Sequence, residues 1–318
     1  SSFKTIEQAV KTNSSLVSGD TIYVKPSITS TNKTKYTGYY DFGGSKGDIN
    51  LNHSKDFVLK STAGADSTIL NAEGNGRHFN FDDGQTAATQ IIGFTFFNGK
   101  IEDKWPGGGS IMISGSNIKF QDCVFDSNRV TDNNNGGAVA ITNQAVPTFT
   151  GCTFTNNFAT DTDGGASGGA VFIWSPNSVD DLKAAINFEQ CKFIGNFVKV
   201  SGYARGGAIG AGKFTNISNC LFIKNGAIST GSNDWGEAQG GAIMSSGGYN
   251  TTGTIVVVSN STFDRNYLDV RTKNGQLMGT EVFYGWELNN SQPKKLYLYN
   301  TIITGSYRKL NGEDYITT

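Results

Sequence analysis

The chain is expected to be all-β, a parallel β-helix solenoid entered through a short capping helix. Three observations point there. Glycine is abundant, 41 of 318 residues against only 5 prolines, in a chain with 21 phenylalanines and 17% charged residues. That composition describes a folded chain with many turns rather than a disordered one. A nine-residue pattern recurs along most of the length, and a Gly-Gly element alternates with it.

Residues 1–18 read as the N-terminal cap. Phe3, Ile6 and Val10 fall at helical spacing in SSFKTIEQAVKTNS, with serine at the start and Glu7 early. A short amphipathic helix there would cover a first coil whose open edge would otherwise pair with another chain. Residues 19–90 read as the first coils, with strands in GDTIYV (19–24), DFVLKST (56–62) and STILNAE (67–73). The polar, Gly-rich stretch 26–50 between them reads as a long loop excursion. His78, in GNGRHFNF, alternates with apolar residues and reads as structural.

The repeats occupy residues 91–306. FQDCVFDSN (120–128), FTGCTFTNN (149–157), FEQCKFIGN (188–196), ISNCLFIKN (217–225) and VSNSTFDRN (258–266) share one pattern. It is an apolar residue, two residues, Cys or Ser, any residue, Phe, two residues, Asn. Phe96, Phe125, Phe154, Phe193, Phe222, Phe263 and Ile303 thus form one repeated position, spaced by 29, 29, 39, 29, 41 and 40 residues. Cys and Phe two apart lie on one side of a strand, whereas the apolar residue three before the Cys would point the other way. The chain must therefore bend between them, at QD, TG, EQ or SN. Two short strands meeting at a repeated corner make a coil whose successive turns pair in parallel. Inward Phe and Cys then stack into ladders, and the closing Asn bonds its counterparts above and below. GGSI (108), GGAV (136), GGAV (168), GGAI (206), GGAI (240) and the degenerate GTEV (279) open a further strand in each period. Their glycines allow backbone conformations and close approach that other residues forbid. Cys123, Cys152, Cys191 and Cys220 occupy one ladder position and read as small buried thiols rather than disulfides or ligands. Residues 307–318 show no cap, so the natural protein is expected to continue past Thr318. The whole, 1–318, is read as a single β-helix domain.

A formal net charge of −1, with no Lys/Arg run beyond Lys294-Lys295, argues against nucleic-acid partners. No window approaches the roughly eighteen apolar residues of a membrane span, so no membrane insertion is expected within this chain. The chain starts at Ser1 with no signal peptide, which suggests a mature or excised piece. Seven Asn-x-Ser/Thr sequons, at Asn13, Asn32, Asn52, Asn216, Asn250, Asn260 and Asn289, suit an extracellular, cell-surface or wall-associated location.

The segments joining each Asn to the next Gly-Gly read as loops stacked on one side: 100–107, 129–135, 158–167, 197–205 and 226–239. They carry Asp103, Trp105, Asp132, Asp161, Asp163, Tyr203, Arg205, Asp234, Trp235 and Glu237. Aromatic faces take the C–H faces of sugars and polar groups take the hydroxyls, so this is the candidate ligand-binding face. Flank packing of Trp105 and Trp235 is the competing reading. Ca²⁺ at Asp161 and Asp163 is the one cofactor left open; a site needs about six oxygens or more, and these supply too few alone. The pairs Asp82-Asp83 and Asp180-Asp181 read as turn acids, because adjacent strand residues face opposite ways. No catalytic residue and no metal ligand set is assigned.

The alternating GGAV/GGAI and F-x-x-N units resemble the repeats of polymorphic outer-membrane proteins. The chain as a whole, with its opening FKTIEQAVK…SGDTIYVKP…YTG, resembles the adhesin-like surface proteins abundant in methanogenic archaea. The resemblance covers residues 3–40 and 91–306. It implies a right-handed single-stranded parallel β-helix, secreted or wall-anchored, that presents loops to glycans or to partner or host cells. It supplies no catalytic residues. Polysaccharide lyases and glycoside hydrolases use the same scaffold, and fold does not decide function. The chain has none of the Asn-Thr-Asp, Gly-His-Gly or Arg-Ile-Lys motifs of polygalacturonases. A lyase-like site built from Lys199, Arg205 and the loop acids is the alternative.

Overall fold

The computed structural model describes residues 5–10, 16–25, 34–37, 49–51, 53–102, 105–132, 135–174, 184–231, 236–245, 254–272, 275–279, 281–284, 295–310 and 313–315. One period shows how the chain is laid down. It runs through Lys119–Gln121, Val124–Asp126, Arg129–Thr131 and Val139–Thr142, and each of these strands joins a different sheet. Among the described residues, the first and second sheets have nine strands each, the third and fourth eight each. Neighbouring strands come from successive periods and pair in parallel, as in Phe120↔Phe149↔Phe188 and Phe125↔Phe154↔Phe193. The exception is the terminal pair Tyr307–Leu310 with Glu313–Tyr315, which is antiparallel. All-β structure with parallel strands in stacked sheets is consistent with a parallel β-solenoid.

Each corner has a local cause. Between the first and second strands one residue per coil takes a left-handed conformation: Asp122, Gly151, Gln190, Asn219 and Asn260, with φ from 48 to 64°. This is the bend that the Phe-to-Cys spacing demanded. A second such corner, at Ser127, Asn156, Gly195, Lys224 and Arg265, separates the second strand from the third. Short polar side chains and glycine tolerate this region best, so Lys224 and Arg265 are held there by the surrounding coil.

Inside, like packs on like. Phe125, Phe154, Phe193, Phe222 and Phe263 stack with centroids 4.6–4.8 Å apart, and Phe120, Phe149 and Phe188 form a parallel column at 5.0–5.1 Å. The two columns meet edge to face, at 5.6 Å in each coil. The four cysteines are free and buried. Each thiol donates to a first-sheet carbonyl of the preceding coil, as Cys191 does to Phe149 at 3.4 Å. Burial, reinforced by the neighbouring thiols, pushes the Cys152 thiol up, which keeps it protonated and inert.

The asparagine ladder is continuous. Asn128, Asn157, Asn196, Asn225 and Asn266 are fully buried, and each Nδ2 donates to the next Oδ1 at 2.8–3.0 Å. The last, Asn266, donates instead to Glu281 Oε2 at 2.6 Å. His78 is also fully buried, its Nε2–H on the Leu70 carbonyl and its Nδ1 accepting from the Ser110 hydroxyl.

Two sequence expectations change. The excursion 26–50 contains strands Thr34–Thr37 and Ile49–Asn50, which pair with Thr68–Asn71 and Phe79–Phe81 and so belong to the first coil. The segments between Asn and Gly-Gly are not loops alone. They carry the third sheet and, in later coils, a fifth sheet of Ala166–Ser167, Tyr203–Arg205, Glu237–Gln239 and Gln276–Met278. A second apolar cluster, including Val130, Ala159, Val198, Ala204 and Leu268, lies between these two sheets. At the other end, helix Ile6–Val10 buries Ile6, Ala9 and Val10, and His53 Nε2 lies 2.6 Å from the Val10 carbonyl. No helix among the described residues is long and apolar enough to cross a membrane.

Candidate functional site

The fifth sheet builds one wall of a cleft. Its strands turn Ala166, Ala204 and Ala238 inward to the second apolar cluster. By the two-residue period, Tyr203 and Arg205 face the other way, out of the lobe. The fourth sheet builds the opposite wall in the same manner. Val171 and Ile173 point into the main core, so Phe172 and Trp174 point outward. Phe172's neighbours in the outer column are Ala140 and Gly210, small enough to leave a hollow beside it.

Trp105 closes the cleft from the loop between the third and fourth sheets. It is 56% exposed, edge-on to Trp174 at 5.9 Å and 88°, and to Phe172 at 5.8 Å and 71°. The end of its loop is fixed twice. Buried Arg77 donates to the Gly107 and Gly108 carbonyls at 2.8 and 3.1 Å, and Gly107 bridges to Asn135. The bridge is close enough that a Cβ on Gly107 would overlap the Asn135 backbone. Gly165 likewise leaves room for Tyr203, whose Cβ would lie 3.2 Å from any side chain there.

The cleft has a volume of about 350 Å³, and its lining includes Trp105, Phe172, Trp174, Tyr203 and Arg205, together with Asn135 and Ser167. Asn135 Oδ1 accepts from the Ser167 N–H at 2.7 Å. The Arg205 guanidinium stands 4.9 Å over the Tyr203 ring, and its Nε donates to Gln239 Oε1 at 3.2 Å. Perpendicular aromatic walls with a few fixed polar groups are the usual make-up of a small-ligand cleft, and this volume sits at the small end of the roughly 300–1,000 Å³ range.

Of the sequence candidates, the fold brings Trp105, Tyr203 and Arg205 together. Among the described residues, the candidate acids do not line this cleft. Asp161 is buried, its Oδ1 accepting the Asp163 N–H at 2.9 Å in a turn while its Oδ2 has no partner among the described residues; Asp163 itself is exposed. Asp132 sits half-buried at a left-handed corner after the third-sheet strand. Glu237 lies beside Tyr203 in register and accepts from Gln239 Nε2 at 2.7 Å. Asp103, Asp234, Trp235 and the pair Asp180-Asp181 lie outside the described residues. Among the described residues no group of three or more His, Cys, Asp or Glu is placed to hold a metal ion. Phe172 and Trp174 were not singled out from the sequence, although the alternation in VFIW, once phased by Val171 inward, places both on the outer face.

The chain matches no protein-family model, no curated protein and no solved structure.

Proposed function

We propose that the protein is a non-catalytic, adhesin-like component of an extracellular surface, and that the Trp105–Trp174 cleft binds glycans of a partner or host cell. In this reading the chain is a right-handed, single-stranded β-helix rod, and helix Ile6–Val10 covers its first coil. The carrying observation is the convergence of Trp105, Phe172, Trp174 and Tyr203 on one cleft with Asn135, Ser167 and Arg205. Such rings stack on sugar C–H faces while the polar groups take hydroxyls. A stiff rod supports this use: one weak site per molecule gains strength when many molecules are displayed together.

The test is retention on immobilised polysaccharides, acidic and neutral, with new reducing ends and unsaturated uronate absorbance read in parallel. Retention without turnover is expected. Trp174→Ala should reduce retention by about tenfold or more at unchanged β-sheet circular dichroism, since stacked aromatic contacts dominate such sites. Turnover on any polysaccharide would replace the adhesin reading with that of a lyase or hydrolase.

A further inference from the structure

The Asn-x-Ser/Thr sequons are not equivalent once the chain is folded. Asn216 and Asn260 are the two on described residues, and they sit differently. Asn216 lies within strand Thr215–Ser218, half-buried, with its Nδ2 donating to Asn187 Oδ1 at 3.3 Å. Asn260 is exposed at the left-handed corner between the first and second sheets, with φ 48°. We infer that Asn260 is a site of N-linked glycosylation, its Nδ2 carrying an oligosaccharide on the outer face of the solenoid. The inference rests on the extracellular placement in the proposed function and not on the cleft.

Three features support it. A sequon needs its asparagine amide and the hydroxyl two residues on to be presented together. Ser261 takes the ladder position of the cysteines and is 1% exposed, so it points inward; Thr262 opens the next strand on the outer face, beside the exposed Asn260. Asn260 Oδ1 accepts from Asn300 Nδ2 at 3.2 Å, which holds the amide by the oxygen that a sugar linkage leaves in place, and no described residue accepts from its Nδ2. In the next coil Tyr299 and Ile302, in register with Ser259 and Thr262, are exposed on either side of this corner, an apolar surface for the C–H face of the first sugar. Asn219 stands at the same corner one coil earlier, with φ 55°, but Leu221 follows where the hydroxyl is needed, so it stays bare. The cleft is walled by the fourth and fifth sheets, so a sugar at this corner leaves it open.

The donor is a lipid-linked oligosaccharide diphosphate. Asn260 Nδ2 attacks the anomeric carbon, the carbon–nitrogen bond forms as the carbon–oxygen bond to the diphosphate breaks, Nδ2 releases one proton, and the lipid diphosphate leaves. The experiment secretes the full chain from yeast and treats it with peptide N-glycosidase in water enriched in heavy oxygen, so that each glycosylated asparagine becomes a labelled aspartate read by mass spectrometry. An arm without the glycosidase subtracts spontaneous deamidation. Most molecules are expected to carry the label at Asn260. Thr262→Ala should lose it at unchanged β-sheet circular dichroism, and Thr262→Ser should keep it. No label at Asn260, whether the other sequons are labelled or bare, would overturn the inference. Label persisting at Asn260 in Thr262→Ala would overturn it too, because the sequon would not be what is read. Retention on polysaccharides is measured on the same chain: a labelled chain that is not retained would sink the cleft reading and leave Asn260 standing, and a retained chain bare at Asn260 would do the reverse.

Discussion

Asn196 concentrates the stability of the stack in one amide. Its Nδ2 donates to Phe154 O and to Asn225 Oδ1, and its Oδ1 accepts from both the backbone N–H and the Nδ2 of Asn157, all at 2.9–3.0 Å. Alanine at this position leaves the Asn157 N–H without a partner in a place water does not reach, and removes the side-chain hydrogen bonds to Phe154 O and Asn225 Oδ1. At about 1–3 kcal/mol for the orphaned group and about 1 kcal/mol for each further bond lost, Asn196→Ala should lose roughly 2–5 kcal/mol. Guanidinium unfolding is the measurement, read as a lower midpoint at unchanged slope; a loss below about 1 kcal/mol would show that the ladder is dispensable. The ladder was legible in the sequence because its asparagine recurs at a fixed distance from the ladder phenylalanine. What closes it was not. Glu281 stands where Ala242 and Ala208 stand in earlier coils, and nothing in the GTEV segment announces that its carboxylate accepts the Asn266 Nδ2 hydrogen bond.

At the scale of an element, the second glycine of each Gly-Gly pair sets the spacing of the coils. A Cβ on Gly169 would overlap the Gly207 carbonyl and stand 2.6 Å from the Phe197 backbone, and backbone cannot swing aside. Gly169→Ala should therefore cost about 3 kcal/mol or prevent folding. Gly115 provides the contrast: its φ is 63°, but the nearest atom to an added Cβ is 3.7 Å away. Gly115→Ala should cost only the ~1–2 kcal/mol of a left-handed alanine. Thermal unfolding of the two variants orders them, and equal losses would mean that glycine matters here for its dihedral freedom alone. The Gly-Gly strands announced themselves by repetition, whereas the fifth sheet left no such mark. Its strands are two or three residues long and turn a single Ala166, Ala204 or Ala238 inward, too little for a two-residue alternation to be seen. For that reason Tyr203 and Arg205 were recognisable as candidates by residue type, but their shared wall with Phe172 and Trp174 was not.

Among the described residues, strand pairing runs from each coil to the next, so a local perturbation should stay local. Two buried titratable groups near opposite ends make this testable. Burial lowers the His78 pKa to about 4, from an ordinary 6.5. The unfolded histidine therefore takes up its proton first as pH falls, and stability from this site is lost between about pH 6.5 and 4. Burial raises the Glu281 carboxyl to about 7 from an ordinary 4.5, with the Asn266 hydrogen bond opposing and Asp264 adding to the rise. Here the folded state holds the proton longer, so stability is full below about pH 4.5 and is lost as pH rises through about 7. Each effect is at most roughly 3 kcal/mol. Lowering pH from 7 to 5 should thus loosen the coil around Ile111–Ser114, beside His78, and tighten the coil around Ile243–Ser245, beside Glu281. Native-state hydrogen exchange, corrected for the intrinsic pH dependence of amide exchange, reads both ends in one sample. Glu281→Gln keeps a hydrogen-bonding oxygen but cannot ionise, so it should flatten the response near Ile243–Ser245 and leave that near Ile111–Ser114 intact. Parallel movement of the two ends would mean that the stack unfolds as one cooperative block, and the coil-by-coil account of its stability would have to be abandoned.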